Sequence, residues 1–225
     1  FLYDAHGGDI ARINRVQLKK ADKLTRPERH RTAWRVLEAY DQWLTSEQAD
    51  QTLLAILRLV GLFDRPATAD CLQRLRTGKV ITGLTDATHA MDRDAWNVQL
   101  NRLQRAHLIR LRSSETLQGE WDIDAHPLIR EDFAEQLRTE LVEAFRTADS
   151  RLFDHLCKST EYRPDTLPGL QPLYQAVTHG CLAGRHEEAR ANVYLDRILR
   201  GAGSGGYYSV KKLGAVGADL GAVAW

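Results

Sequence analysis

Sulfur is scarce in this sequence: one methionine and three cysteines, Cys71, Cys157 and Cys181, far apart and without a CxxC pair. An odd count at such spacing argues against a disulfide framework or a zinc knuckle and fits a reducing compartment. Each cysteine falls in an apolar helical stretch and reads as a small buried hydrophobe. Charge of one sign is also lacking. Lys plus Arg number 31 against 30 Asp plus Glu, a formal net charge of +1, whereas a dedicated nucleic-acid binder carries a strong basic excess. No apolar run approaches the ~20 residues that span a bilayer, and the weakly polar stretch 213–225 is interrupted by Asp219, so no membrane partner is expected.

Catalytic signatures are missing as well. There is no GxxxxGK(S/T) phosphate loop, no GxSxG nucleophile elbow and no HExxH or other compact metal-ligand spacing. Neither a catalytic residue nor a metal site is expected. Glu187 and Glu188 are adjacent and diverge by about 100° on a helix, and Glu131 and Glu135 are flanked by Arg130 and Arg138. Residues 201–206 match GxGxxG formally but follow a helix rather than a strand, and read as a flexible link. His6-Gly7-Gly8-Asp9 reads as a helix stop. The start Phe1-Leu2-Tyr3-Asp4 has neither an initiator methionine nor a basic n-region; it suggests a cut through a longer chain.

What is present is helical periodicity. Hydrophobic residues make up 43% of the 225 positions and charged residues 27%, an ordinary globular balance. Apolar residues at three-to-four spacing predict helices over 28–44 (Ala33, Leu37, Tyr40, Leu44) and 46–59, the second so apolar that it should be buried. A short helix opens at Pro66 and runs to about 75, and Asp92 caps one to about 106 with Trp96, Leu100 and Leu103 on one face. The period then switches to two. Residues 108–112 place Ile109 and Leu111 opposite Arg110 and Arg112, and 120–124 carry Trp121 and Ile123, a two-stranded hairpin signal. His126-Pro127 closes the second strand and opens a helix with Leu128, Ile129, Phe133 and Leu137. Helices follow over 141–158, from Pro168 past Cys181, over 186–199 after a Gly184-Arg185 turn, and over 209–224. In that last helix Gly214, Gly217 and Gly221 form a smooth stripe for close packing.

The stretch 122–131, DIDAHPLIRE, is similar to a motif of STAND-class signal-transduction NTPases (NB-ARC/NACHT-like), in which a strand ends in a histidine followed by an amphipathic helix. Pro127, standing where the plant and apoptotic members usually carry aspartate, looks more like the bacterial members. LAILRLVGLFDR at 54–65 resembles the first winged-helix helix of those proteins, and 100–109 the helix before their wing. HGCLAGRHEEA, within 174–189, resembles a tetratricopeptide-like hairpin, with Gly184 and Ala189 at its turn and close-packing positions; YSVKKLGAVGA at 208–218 is similar to a following helix.

The resemblance implies a mainly all-α fold: the end of a helical linker domain over 1–45, a winged helix with a two-stranded β wing over 46–138, and the start of a tetratricopeptide-like array over 139–225. It implies that His126 contacts the β-phosphate of ADP held by a nucleotide-binding domain preceding Phe1, with ADP or ATP bound in the parent protein and no cofactor in this stretch. The winged helix then relays nucleotide state in cis and the array binds a protein partner, in cytoplasmic bacterial signalling or defence. The alternative is a DNA-binding winged-helix regulator with a helical sensor, using the cations Arg74, Arg76, Lys79, Arg102, Arg105, Arg110 and Arg112. A third reading is a plain repeat scaffold. Without a phosphate loop, the chain alone should release no phosphate from ATP above buffer controls, which a phosphate-release assay checks.

Overall fold

The computed structural model describes residues 51–89, 91–201, 203 and 205–223. The expected linker 1–45 and its helix over 28–44 lie outside the described residues. The described chain is mainly helical with one small antiparallel sheet, and it divides into two compact units. One contains 51–67 and 91–136; the other contains 68–89 and residues from 137 onward. The segment 68–89, expected inside a 46–138 domain, thus groups with the C-terminal helices.

The first unit begins with α1 (Gln51–Gly61), whose Leu53, Leu54, Ile56, Leu57, Leu59 and Val60 are all buried. So broad an apolar surface leaves little polar face, and the unit closes around it. Gly61 permits a close crossing: a Cβ there would lie 2.9 Å from backbone atoms of Phe133 and Ala134. Helix α3 (Arg93–Arg105; α2, Ala69–Thr77, belongs to the second unit) is capped by Asp92, whose carboxylate accepts the Ala95 N–H at 2.8 Å, and it buries Trp96, Leu100 and Leu103. It ends in a left-handed residue, His107, with φ 58°. The His107 N–H reaches Gln104 O and the Leu108 N–H reaches Leu103 O, the paired bonds that satisfy terminal helix carbonyls.

That turn feeds β1 (Ile109–Ser113), paired antiparallel with β2 (Trp121–Ala125) in the register Ile109 to Ala125 through Ser113 to Trp121. Two strands alone are marginal in water. Here Ala67 adds a third contact, with N–H to Ile123 O at 2.8 Å and O to Ile123 N–H at 2.9 Å. Ile109, Ile123 and Ala125 face the core. Helix α4 (Pro127–Glu140) then starts in this unit, burying Ile129 and Phe133.

The second unit contains α2 (Ala69–Thr77), a turn-rich segment 81–89, α5 (Val142–Ser159), α6 (Leu167–Leu182), the short α7 (His186–Glu188) running into a π-helical stretch (Ala189–Ile198), α8 (Tyr208–Leu213) and α9 (Val216–Val223). Helix α5 buries Phe145, Ala148, Leu152 and Leu156 along one stripe and packs on α6, which in turn packs on the π-helical stretch. Gly184, at φ 79°, makes the left-handed turn between them. At the crossing, a Cβ on Gly180 would lie 2.8 Å from Ala189 Cβ and 2.9 Å from the Phe153 ring.

Two expectations need correction here. The helix over 209–224 is two helices, because Gly214 adopts φ 66° and ends α8. The glycine stripe is not a packing stripe: a Cβ at Gly214, Gly217 or Gly221 would meet nothing within 4 Å. These helices are tied in by buried Ala215 and Ala222 and by Ser209 donating to the buried Asp219 carboxylate at 2.9 Å. The cysteine expectation holds in part, since Cys71 is buried while Cys157 and Cys181 are half-buried.

Arg197 binds the end of α5. Its guanidinium donates to the carbonyls of Cys157 (2.9 Å), Thr160 (3.0 Å), Glu161 (3.0 Å) and Tyr162 (2.9 Å). Terminal helix carbonyls have no partner within the helix, and a planar five-donor fork suits several of them at once. Arg197→Ala should lower unfolding free energy by ~2–4 kcal/mol, since it strands several carbonyls. Arg197→Lys should recover only part of the loss. Arg190→Ala, which breaks an exposed pair with Glu187, should cost under ~1 kcal/mol. Urea unfolding of the three variants checks the order.

Candidate functional site

His126 stands between the buried end of β2 and the first residue of α4, with its side chain exposed. The strand brings the chain to the core edge at Ala125, and Pro127, with its fixed φ and no N–H, suits the first helical position. The ring Nδ1 accepts the Leu128 N–H at 3.2 Å, while the His126 carbonyl accepts from Ile129 (2.9 Å) and Arg130 (3.2 Å). An Nδ1 that accepts assigns the neutral proton to Nε2, so Nε2 is the donor this ring presents. The α4 first turn carries no acidic residue. The first-turn N–H groups are engaged by His126 itself, so what favours an anion at this helix start is the dipole together with the exposed imidazole.

Beside it, Asp124 lies between two guanidiniums, Arg112 at 3.3 Å and Arg130 at 3.4 Å. The basic residues named from the sequence are distributed and partly engaged. Arg74, Arg76 and Lys79 belong to the second unit and the others to the first. Arg102 donates to Gln99 at 2.7 Å. The start of α3 is acidic, with Asp92 at the cap and Asp94 in the first turn, where phosphate would be repelled.

The second unit has its own polar chemistry. Asp149 and His179 join α5 to α6 through Oδ1 and Nδ1 at 2.7 Å, both nearly inaccessible. Burial pushes the Asp149 carboxyl above its usual range, opposed by His179 and then Arg138. An open groove of about 520 Å³ is lined by residues that include Arg74, Arg146 and Arg151. Arg151 caps the end of α2 through the carbonyls of Leu75 (2.9 Å) and Lys79 (2.5 Å), and burial, then the charge of Arg74, holds its pKa below the ordinary value. Burial pushes the thiols of Cys157 and Cys181 up, which makes them poor nucleophiles.

One cluster offers metal donors. Asp70 and Cys71, in the first turn of α2, meet His155 of α5, with ligand atoms all within 4.8 Å of one another. His155 Nε2 and Asp70 Oδ2 are 2.8 Å apart. Sequence reading missed this set because its members come from helices 85 positions apart, and only the packing of α2 on α5 brings them together.

Comparison with family models, with curated proteins and with solved structures returns no match.

The buried Asp149–His179 pair generates a stability prediction. His179→Ala leaves a buried carboxylate without its partner and should destabilise by ~3–5 kcal/mol. The double variant Asp149→Ala, His179→Ala should be less destabilised than the sum of the single variants, with a coupling of ~1–3 kcal/mol in a urea-unfolding cycle.

Proposed function

We propose that this chain is a non-catalytic regulatory portion of a STAND-class switch. A winged helix around His126 relays nucleotide state, and the following helical hairpins bind a protein partner. The observation that carries this reading is the placement of His126: an exposed imidazole at the join of β2 and α4, with Nδ1 held by the helix N-terminus and Nε2 presented outward. An Nε2–H donor at a helix start suits a terminal phosphate of ADP, because the imidazole can donate to it and the helix dipole favours its negative charge.

Two further features support it. The order α1, an Ala67 bridge onto β2, α2, α3, β1, β2 and α4 along the chain supports the winged-helix reading, although α2 groups with the second unit. The α6–α7 hairpin has a left-handed Gly184 at its turn and a fully buried Ala189 against Gly180, as a tetratricopeptide-like pair requires. The π-helical course of Ala189–Ile198 departs from that repeat's second α-helix.

In this reading ADP or ATP is bound by a nucleotide-binding domain that precedes Phe1 in the parent, and His126 supplies one contact across to it. The experiment is nucleotide binding by a chain extended upstream to include that domain. His126→Ala should weaken ADP by ~10-fold, the value of one charge-assisted hydrogen bond, and raise basal signalling, while ATP binding changes less. ADP affinity and basal activity both unchanged would sink the proposal. Salt-sensitive binding of duplex DNA by the 225-residue chain would instead favour a DNA-binding winged helix.

A further inference from the structure

We propose that Asp70, Cys71 and His155 form a binding site for a thiophilic divalent cation of the zinc class. The argument begins with donor chemistry. The three side chains offer one carboxylate oxygen, one thiol sulfur and one imidazole nitrogen, and these atoms lie within 4.8 Å of one another. Tetrahedral zinc holds such ligands at about 2.0–2.3 Å. Opposite ligand atoms are then about 3–4 Å apart, so small rotamer adjustments close the site. Mixed sulfur, nitrogen and oxygen donors select zinc over magnesium or calcium, which take oxygen ligands.

The scaffold supports the same assignment. Asp70 and Cys71 are successive residues of one helical turn, and α2 packs directly on α5. Cys71 is fully buried while Asp70 and His155 are half-buried, so the sulfur closes the inner side and the other two donors stand at the edge through which an ion enters. In the metal-free state His155 Nε2 and Asp70 Oδ2 share a hydrogen bond at 2.8 Å. That bond keeps both donors aimed at one point, and a proton occupies the place that a cation would take. Binding exchanges protons for metal: the Cys71 thiol gives up its proton to bind as thiolate, and the proton between Asp70 and His155 is released or moved to the ring nitrogen that does not bind. The carboxylate and thiolate together neutralise a divalent charge. Three protein ligands leave a fourth position for water, the pattern of an exchangeable site rather than a closed structural one.

This site is independent of His126 and of any nucleotide, so its test does not depend on the switch reading. The experiment is titration of the 225-residue chain, reduced and freed of metal by chelation, with cobalt(II) as a spectroscopic stand-in for zinc. We expect a near-ultraviolet sulfur-to-cobalt charge-transfer band that saturates at one cobalt per chain and is bleached by zinc but not by a large excess of magnesium. Cys71→Ser should abolish the band, and His155→Ala should weaken cobalt by at least ~100-fold, beyond what losing an outer-shell partner does. The variant Cys157→Ser, Cys181→Ser, in which Cys71 is the only thiol, should keep the full band, which guards against misfolding of the Cys71 variant. Absence of the band in the unaltered chain, its loss in the Cys157, Cys181 variant or its survival in Cys71→Ser would each overturn the assignment.

Discussion

In the C-terminal unit, one guanidinium organises the segment that leaves α5. A helix ends with carbonyls that no N–H of the same helix can reach, and α5 is no exception. Arg197 meets the carbonyls of residues 157, 160, 161 and 162 from the π-helical stretch, with the side chain nearly buried. Leaving the less exposed of these groups unpaired costs part or all of a desolvation penalty each. The neighbouring contacts extend the same idea: Arg200 donates to the carbonyls of Arg163 and Pro164, and Tyr162 and Arg163 both reach Asp196. The segment between α5 and α6 has no regular structure of its own apart from its caps, and side chains arriving from later in sequence organise it.

The N-terminal unit solves a different problem. A short hairpin cannot sustain itself, so it borrows apolar cover from α1 and α3 and one backbone bridge from Ala67. The consequence for His126 is geometric. Ala125 is anchored in the core and Pro127 begins a helix, so the residue between them has almost no conformational choice. Its ring is oriented by the Leu128 N–H rather than by any side chain.

The helices were largely legible because their apolar residues recur at three-to-four spacing: the stripe Phe145, Ala148, Leu152, Leu156 and the face Trp96, Leu100, Leu103 read directly from the chain. The hairpin was legible from the change of period at Leu108, and Asp92 from cap chemistry. Three features were not. The break at Gly214 is invisible because glycine is tolerated inside helices and also ends them, and only the backbone angle decides. The π-helical course of Ala189–Ile198 leaves no mark in composition. The Asp70, Cys71, His155 cluster joins two distant helices, and no local spacing announces a contact that packing creates. His126 was located by pattern as a chain position; its ring orientation came only from the structure.

The π-helical stretch has a consequence for how this protein tolerates change in length. A π turn holds more residues than an α turn, so each residue advances less around the axis. Ala189 at one end must meet Gly180, and Arg197 near the other must reach the Cys157 carbonyl of α5 and the carbonyls just beyond it. The wider winding sets the angle between those two duties. Rewound as an ordinary α-helix of the same length, the segment would carry Arg197 around to a different face. Residue count between Ala189 and Arg197 therefore acts as a phase: substitutions on the exposed side are absorbed, whereas inserting or deleting one residue puts one of the two contacts out of register.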